Sequence, residues 1–274
     1  IGSRTRTFPA GHPPPAAAEG GVPPNEAAFP TPTANDAPPD GAAFSSTIGS
    51  MATMTLFVTG TDTGVGKTLA STALLHALRA RGRRACGMKP VASGSEPGEG
   101  GWRNADALAL QAASDPRPPY ADVNPYALPE PTAPQLAARA AGIRVSPGVL
   151  AAAHARLAAD CDVVVVEGAG GWLAPLADGL EHAMLARALD AEVLLVVGLR
   201  LGCLNHARLT ARAIEADGLA LAGWIGSTLE PGFGADYLAL VRDALPVPCL
   251  GVLPHEAAPA PAAAARALRM PRAW

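Results

Sequence analysis

The chain lacks the features that announce several classes of protein. Only two of its 21 basic residues are lysines, Lys67 and Lys89, and no dense run of positive charge occurs. With a formal net charge of -3 as well, the electrostatic footprint of a nucleic-acid binder is missing. No stretch reaches the roughly 18 uninterrupted apolar residues of a membrane span, and the N-terminus has no secretory apolar core, so the expected compartment is the cytoplasm. Cys86, Cys161, Cys203 and Cys249 are widely separated and form no CxxC or Cys/His group with zinc spacing. They are expected as reduced, mostly buried thiols. His76, His154, His182, His206 and His255 make no HExxH pattern either.

What is present suffices for a core: 49% of the 274 residues are hydrophobic and 16% charged, enough for one domain or a small pair. Residues 1–53 are biased to Pro, Ala and Gly without periodicity, as in "GHPPPAAAEGGVPP", and are expected to be a disordered leader. Met51 and Met54 each precede the first predicted strand, so part of that leader reads as a cloning remnant or an upstream start. Residues 54–256 are expected to be the main folded domain. Residues 257–274 read as a similar tail, with an Ala-Arg part suited to a short helix.

Within 54–256, short apolar runs alternate with amphipathic segments. "MTLFVTG" reads as a strand, "KTLASTALLHALRARG" as a helix stopped by Gly82, and "RACGMKPV" as a strand closed by Pro90. "CDVVVVEGAGG" and "AEVLLVVGL" are continuous apolar runs bounded by Gly, the mark of strands buried on both faces. "NHARLTARAIEADG" reads as a helix with Asn205 as its N-cap and Gly218 beyond its end, and "LALAGWIGS" as another strand. This alternation predicts an open, mostly parallel α/β sheet between helices with a ligand site at the strands' C-terminal ends; with the glycine-rich loop of residues 58–68, a single domain of the P-loop NTPase type is expected.

The stretch "VTGTDTGVGKT", residues 58–68, ends as a phosphate-binding loop does, although five residues rather than four separate Gly60 from Gly66. It lies after a predicted strand and before a predicted helix, where backbone amides converge on an anion. Gly64 and Gly66 keep the backbone open near Lys67. The bland alternative is a glycine turn, but Gly-Lys-Thr also supplies a charge and a hydroxyl. Both lysines fall at the predicted C-terminal edge of the sheet, where a compact ammonium enters a crowded phosphate site without a guanidinium's bulk. Lys67 is expected on the β- and γ-phosphates and Lys89 near the group that accepts phosphate. Glu167, closing "VVVVE", is a candidate magnesium ligand or a carboxylate turning into solvent. Asp106, in "RNADALALQ", is either another ligand or a macrodipole partner. Ser93, Ser95, Asn124 and Glu130 fit loop-organising roles, and Trp102, Trp172 and Trp224 fit packing anchors as well as pocket walls.

Taken together, "FVTGTDTGVGKT", "KPVASGSE", "RNADALALQ", "NPYALPEPTAPQLAA", "VVVVEGAGGWLAPL", "VVGLRLGCLNHARLTARAI" and "LAGWI" resemble dethiobiotin synthetases in order and content, across nearly all of Met54 to about His255. That family's P-loop is itself a long variant. The resemblance implies a cyclo-ligase of biotin biosynthesis that closes a ureido ring on 7,8-diaminopelargonate with carbon dioxide and ATP. It implies Lys67 on the ATP phosphates, with Gly64, Val65, Gly66, Thr68, Glu167, Gly168, Gly170 and Ser227 around the nucleotide. Thr68, Asp106 and Glu167 would surround Mg2+, while Lys89, Ser93 and Thr63 would meet the carbamate and substrate. The substrate carboxylate would bind at Gly202, Cys203, Leu204 and Asn205 of the second subunit of a homodimer. One departure stands out: the family's Asn-Asp after "AGW" is here replaced within Ile225-Gly226-Ser227-Thr228. A serine cannot match the paired donor and acceptor of an asparagine amide, which leaves the choice of base open.

Two other readings remain at this stage. A P-loop switch ATPase that controls partner binding often carries an additional lysine early in the loop, near the position of Asp62 here. A cobyrinate-type ligase carries a glutamine-hydrolysing domain, for which this chain has no counterpart.

Overall fold

The computed structural model describes residues 53–255 and 260–274, so the expected leader, apart from Thr53, lies outside the described residues. Strand β1 (Met54–Gly60) runs into the glycine-rich loop and α1 (Lys67–Arg79); β2 (Ala85–Met88) follows. A small excursion then builds β3 (Val91–Ala92), the hairpin β4 (Glu96–Gly98) and β5 (Gly101–Arg103), α2 (Ala105–Ala113), α3 (Tyr120–Val123) and β6 (Tyr126–Ala127). The chain returns through α4 (Pro134–Ala140) and α5 (Pro147–Asp160) to β7 (Val163–Gly171), α6 (His182–Ala188) and β8 (Glu192–Leu199). It ends with α7 (Cys203–Ala216), β9 (Leu221–Thr228), α8 (Ala235–Ala244), β10 (Cys249–Leu253) and α9 (Pro261–Ala264).

Six strands form one sheet in the order β10-β9-β8-β1-β7-β2, every pair parallel. The predicted α/β sheet is therefore present. Its apolar runs are continuous because both faces are covered. Leu56 and Val58 of β1 join Leu74, Leu75 and Leu78 of α1 on one face, whereas Phe57 packs with Met88, Leu150 and Leu157 on the other. Strand β1 sits between β7 and β8, so the loop that follows it opens between the C-terminal ends of both neighbours.

Three expectations need correction. Helix α7 begins at Cys203 with Gly202 as its cap (φ 92°), which puts Asn205 inside the first turn rather than at the boundary. A glycine reaches that left-handed conformation without a Cβ penalty, and this outweighed the asparagine signal. The C-terminal segment is not a loose tail over residues 260–274: Ala264, Leu268 and Trp274 are buried in the cluster that includes α1. Arg81 of the helix-end turn donates to the Pro271 carbonyl at 2.6 Å, and the Arg269 amide to the Leu250 carbonyl at 2.6 Å. Finally, Cys86 and Cys161 form a disulfide, leaving Cys203 and Cys249 as free thiols. Spacing along the chain hides that pair, because the pairing of β2 with β7 brings the two residues together across 75 positions.

Candidate active site

The glycine-rich loop is shaped by close approach. Gly66 caps α1 at φ 83°, and a Cβ built there would lie 2.6 Å from the Ser227 hydroxyl oxygen on β9. A Cβ on Gly60 would lie 2.7 Å from the Val65 side chain. Glycine is thus required at the loop's entry and exit, and the amides that follow Gly66 start a helix, where partial positive charge accumulates. Lys67 is buried and donates to the Asp62 carbonyl at 2.9 Å, arching over the loop. Burial, helped by the charge of Lys89, lowers its pKa to about 8, against the pull of Glu167, Asp106 and Asp62.

Lys89 follows β2 and is also buried. Its ammonium donates to Glu167 Oε1 at 2.6 Å, Asp106 Oδ2 at 3.0 Å and the Gly168 carbonyl at 3.4 Å. Burial alone would depress this amine; the two carboxylates outweigh it and hold the ammonium above the ordinary lysine range. Burial in turn pushes the Asp106 carboxyl up, and Lys89 more than offsets this, leaving it below the ordinary range. The backbone of Lys89 is clamped as well: its amide donates to the Val123 carbonyl at 2.7 Å and its carbonyl accepts from Asn124 Nδ2 at 2.6 Å. Asn124, read from sequence as a turn organiser, thus steadies Lys89 directly.

Glu167 lies within β7, beside Val58 of β1, and is only 1% exposed, which excludes a carboxylate turning into solvent. Thr68 donates its hydroxyl to Oε1 at 2.9 Å, while Oε2 is buried without a hydrogen-bond partner. Among the described residues no three His, Cys, Asp or Glu side chains converge as a closed metal cage. Magnesium does not need one, since it keeps waters and phosphate oxygens and takes one or two carboxylates. The unpartnered Oε2, the Thr68 hydroxyl and the Asp106 carboxylate form a hard-oxygen set that fits it.

Asn104 caps α2, accepting from the amides of Asp106 and Ala107, and its Nδ2 donates to the Ser93 carbonyl at 3.2 Å. This ties the "KPVASGSE" loop to the helix that carries Asp106. Thr63 is exposed at the P-loop tip, and a Cβ on Gly170 would come within 3.5 Å of its hydroxyl. Gly168 lies against the His182 ring, where a Cβ would stand 2.7 Å away. Gly202, Cys203, Leu204 and Asn205 open α7 after β8, with Cys203 buried and Asn205 exposed. Val65 is buried beneath the loop. Trp172 and Trp224 are buried packing residues, whereas Trp102 is 39% exposed.

A family model described as an AAA domain matches residues 54–262. The ATP-dependent dethiobiotin synthetase BioD of Xanthomonas euvesicatoria pv. vesicatoria is 57% identical over 218 residues, covering 79% of this chain and 97% of its own. The protein of the same name from Xylella fastidiosa (strain 9a5c) is 58% identical over 207 residues, covering 75% and 92%. The chain belongs to the ATP-dependent dethiobiotin synthetase family. Among solved structures, the signal recognition particle receptor FtsY of Elizabethkingia anophelis, in complex with GDP, aligns over 77% of this chain and 60% of its own, with 18% identity and a TM-score of 0.48.

Two residues of this dethiobiotin synthetase family member have no role that the sequence alone assigns. His182 is fully buried between Phe57 and Trp172, and its Nε2 accepts from the Ala169 amide at 3.1 Å. Burial, with the charges of Lys67 and Lys89, brings its pKa down to about 4. Arg200 donates to Asp62 Oδ2 at 2.7 Å across the P-loop. His182 sits in no recognisable motif and Arg200 lies within "VVGLRLGCLNHARLTARAI" without a role of its own there, so the tertiary pairing reveals both.

Proposed function

We infer that this protein forms dethiobiotin from 7,8-diaminopelargonate, carbon dioxide and ATP, in biotin biosynthesis. The observation that carries this reading is the buried ammonium of Lys89, held between Glu167 and Asp106 at the end of the sheet that also presents Lys67. Family membership supports the same reading. The additional lysine of a switch ATPase belongs early in the P-loop, where this chain has Asp62, whereas Lys89 stands after β2.

In the proposed reaction one substrate amine adds carbon dioxide and loses a proton to become a carbamate. A carbamate oxygen then attacks the γ-phosphorus and ADP departs. The second amine attacks the carbonyl carbon of the mixed anhydride, phosphate leaves, and the ureido ring closes. No protein nucleophile is required. Lys67, with the amides of Gly64, Val65 and Gly66, would hold the phosphates. Thr68, Asp106 and Glu167 would hold Mg2+, which when bound neutralises phosphate charge. Lys89, Ser93 and Thr63 would orient the carbamate, so that catalysis is mostly positioning and electrostatics. Gly168, Gly170 and Ser227 would border the nucleotide.

A homodimer is part of the proposal, with the substrate carboxylate bound at Gly202, Cys203, Leu204 and Asn205 of the second subunit. The amides at the start of α7 suit an anion. Leu201, at 80% exposure just before α7, and Leu209, at 56% in its second turn, are apolar surface that a second subunit would cover. No described helix is long and apolar enough to cross a membrane.

The deciding experiment is mass spectrometry of products after mixing protein, ATP, Mg2+, bicarbonate and 7,8-diaminopelargonate, with each component omitted in turn. Dethiobiotin only in the complete mixture is expected. ADP without dethiobiotin would overturn the ligase reading and return the switch ATPase.

A further inference from the structure

The lengthened P-loop is anchored to β8 and to the residue that follows it. The Thr61 amide donates to the Val196 carbonyl at 3.0 Å, and the Gly198 amide donates to the Thr61 hydroxyl at 3.2 Å. Two residues further on, Arg200 reaches Asp62 Oδ2 at 2.7 Å. Val196 and Gly198 hold the loop through their backbone on β8, and Arg200, the first residue beyond that strand, adds a side-chain tie. The Asp62 carboxylate also accepts from the Thr63 amide through Oδ1 at 2.7 Å, and the Asp62 carbonyl accepts from Lys67 Nζ at 2.9 Å. Asp62 therefore occupies three partners at once: a guanidinium, the next amide and the phosphate-binding lysine.

We propose that Arg200 is a positioning residue for nucleotide binding, holding Asp62 so that the five-residue loop keeps Lys67 arched over its phosphate cradle. A loop one residue longer than the common form has more backbone freedom to lose, and a side-chain tie at its middle removes that freedom before the ligand arrives. Arg200 acts through Asp62 and touches neither phosphate nor substrate. The proposal rests on the ATP-binding part of the function above and not on ring closure.

The test is calorimetric titration of ATP with Mg2+ into the wild-type protein and the variants Arg200→Ala, Arg200→Lys, Asp62→Asn and Arg200→Ala with Asp62→Asn, with thermal midpoints recorded alongside. A half-exposed ion pair of this kind supports an effect of about five-fold on the dissociation constant. Arg200→Ala and Asp62→Asn are each expected to weaken ATP binding by about that factor, the double variant no more than either single one. Arg200→Lys is expected to recover most of the loss, and the KM for ATP to rise while kcat is retained. A merely structural arginine would give a falling thermal midpoint without rescue by lysine. Wild-type affinity in Arg200→Ala, or fully additive losses in the double variant, would overturn the proposal. Dethiobiotin assays on the same samples separate the two readings: wild-type protein that binds ATP without making dethiobiotin removes the ligase assignment and leaves the Arg200 result standing on its own.

Discussion

Lys89 Nζ lies 2.6 Å from Glu167 Oε1, and neither side chain exceeds 6% exposure. Such a pair repays its desolvation only when complete, and removing one partner strands a buried charge. Lys89→Gln should therefore do two things: lower dethiobiotin formation by about a hundred-fold or more, as loss of a transition-state donor does, and lower stability by about 3 kcal/mol. Steady-state product assays and urea denaturation read the two effects separately. A soluble variant with normal product formation would remove Lys89 from the mechanism.

The amine of Lys67 titrates at about 8, well below the ordinary lysine value of 10.5, chiefly because it is buried. Between those values the unfolded chain binds more protons than the folded one, so this group adds stability as pH rises through that window. The ammonium that phosphates need is lost over the same range. ATP affinity should weaken from pH 7 to pH 9 while the nucleotide-free protein does not lose stability through this residue. Titrations at several pH values, with Lys67→Arg as a non-titrating comparison, check this; an equally steep profile in that variant would exclude Lys67 as the cause.

Gly66 combines a positive φ with a Ser227 hydroxyl 2.6 Å from where a Cβ would stand. Gly66→Ala should abolish ATP binding at ordinary concentrations. Adding Ser227→Ala removes the collision but leaves about 1–2 kcal/mol of left-handed strain, so only partial recovery is expected. Full recovery would show that the contact, and not the backbone conformation, fixes this glycine.

Trp274 is 6% exposed in the cluster shared with α1. Trp274→Ala should cost about 3 kcal/mol, in the range of large aromatic deletions. Because α1 begins at Lys67, ATP affinity is a second readout, and unchanged urea stability would mean that the terminal segment is not part of the core.

The parallel sheet was legible because its strands are short apolar runs bounded by glycine; Lys89 and Glu167 stood out at the ends of such runs, and Lys67 and Thr68 in the Gly-Lys-Thr that closes the loop. Asp106 was ambiguous in sequence: a first-turn acid next to a cap looks the same whether it serves the helix or a site, and only the 3.0 Å bond to Lys89 separates these. The docking of the terminal segment, the Cys86–Cys161 pair and the contact of Arg200 depend on partners 75 to 190 positions away, and no local pattern encodes such distances. Asn205 misled because capping statistics favour asparagine where a left-handed glycine, Gly202, served instead.

The central position of β1 also governs when the site can exist during synthesis. Its two neighbours, β7 and β8, come from residues 163–171 and 192–199, so the strand that carries the P-loop emerges from the ribosome with neither hydrogen-bonding edge filled. Pairing must wait for more than a hundred further residues, which makes these contacts late and slow ones. A nascent chain stalled before β8 would hold the complete "GTDTGVGKT" sequence and still be unable to retain ATP.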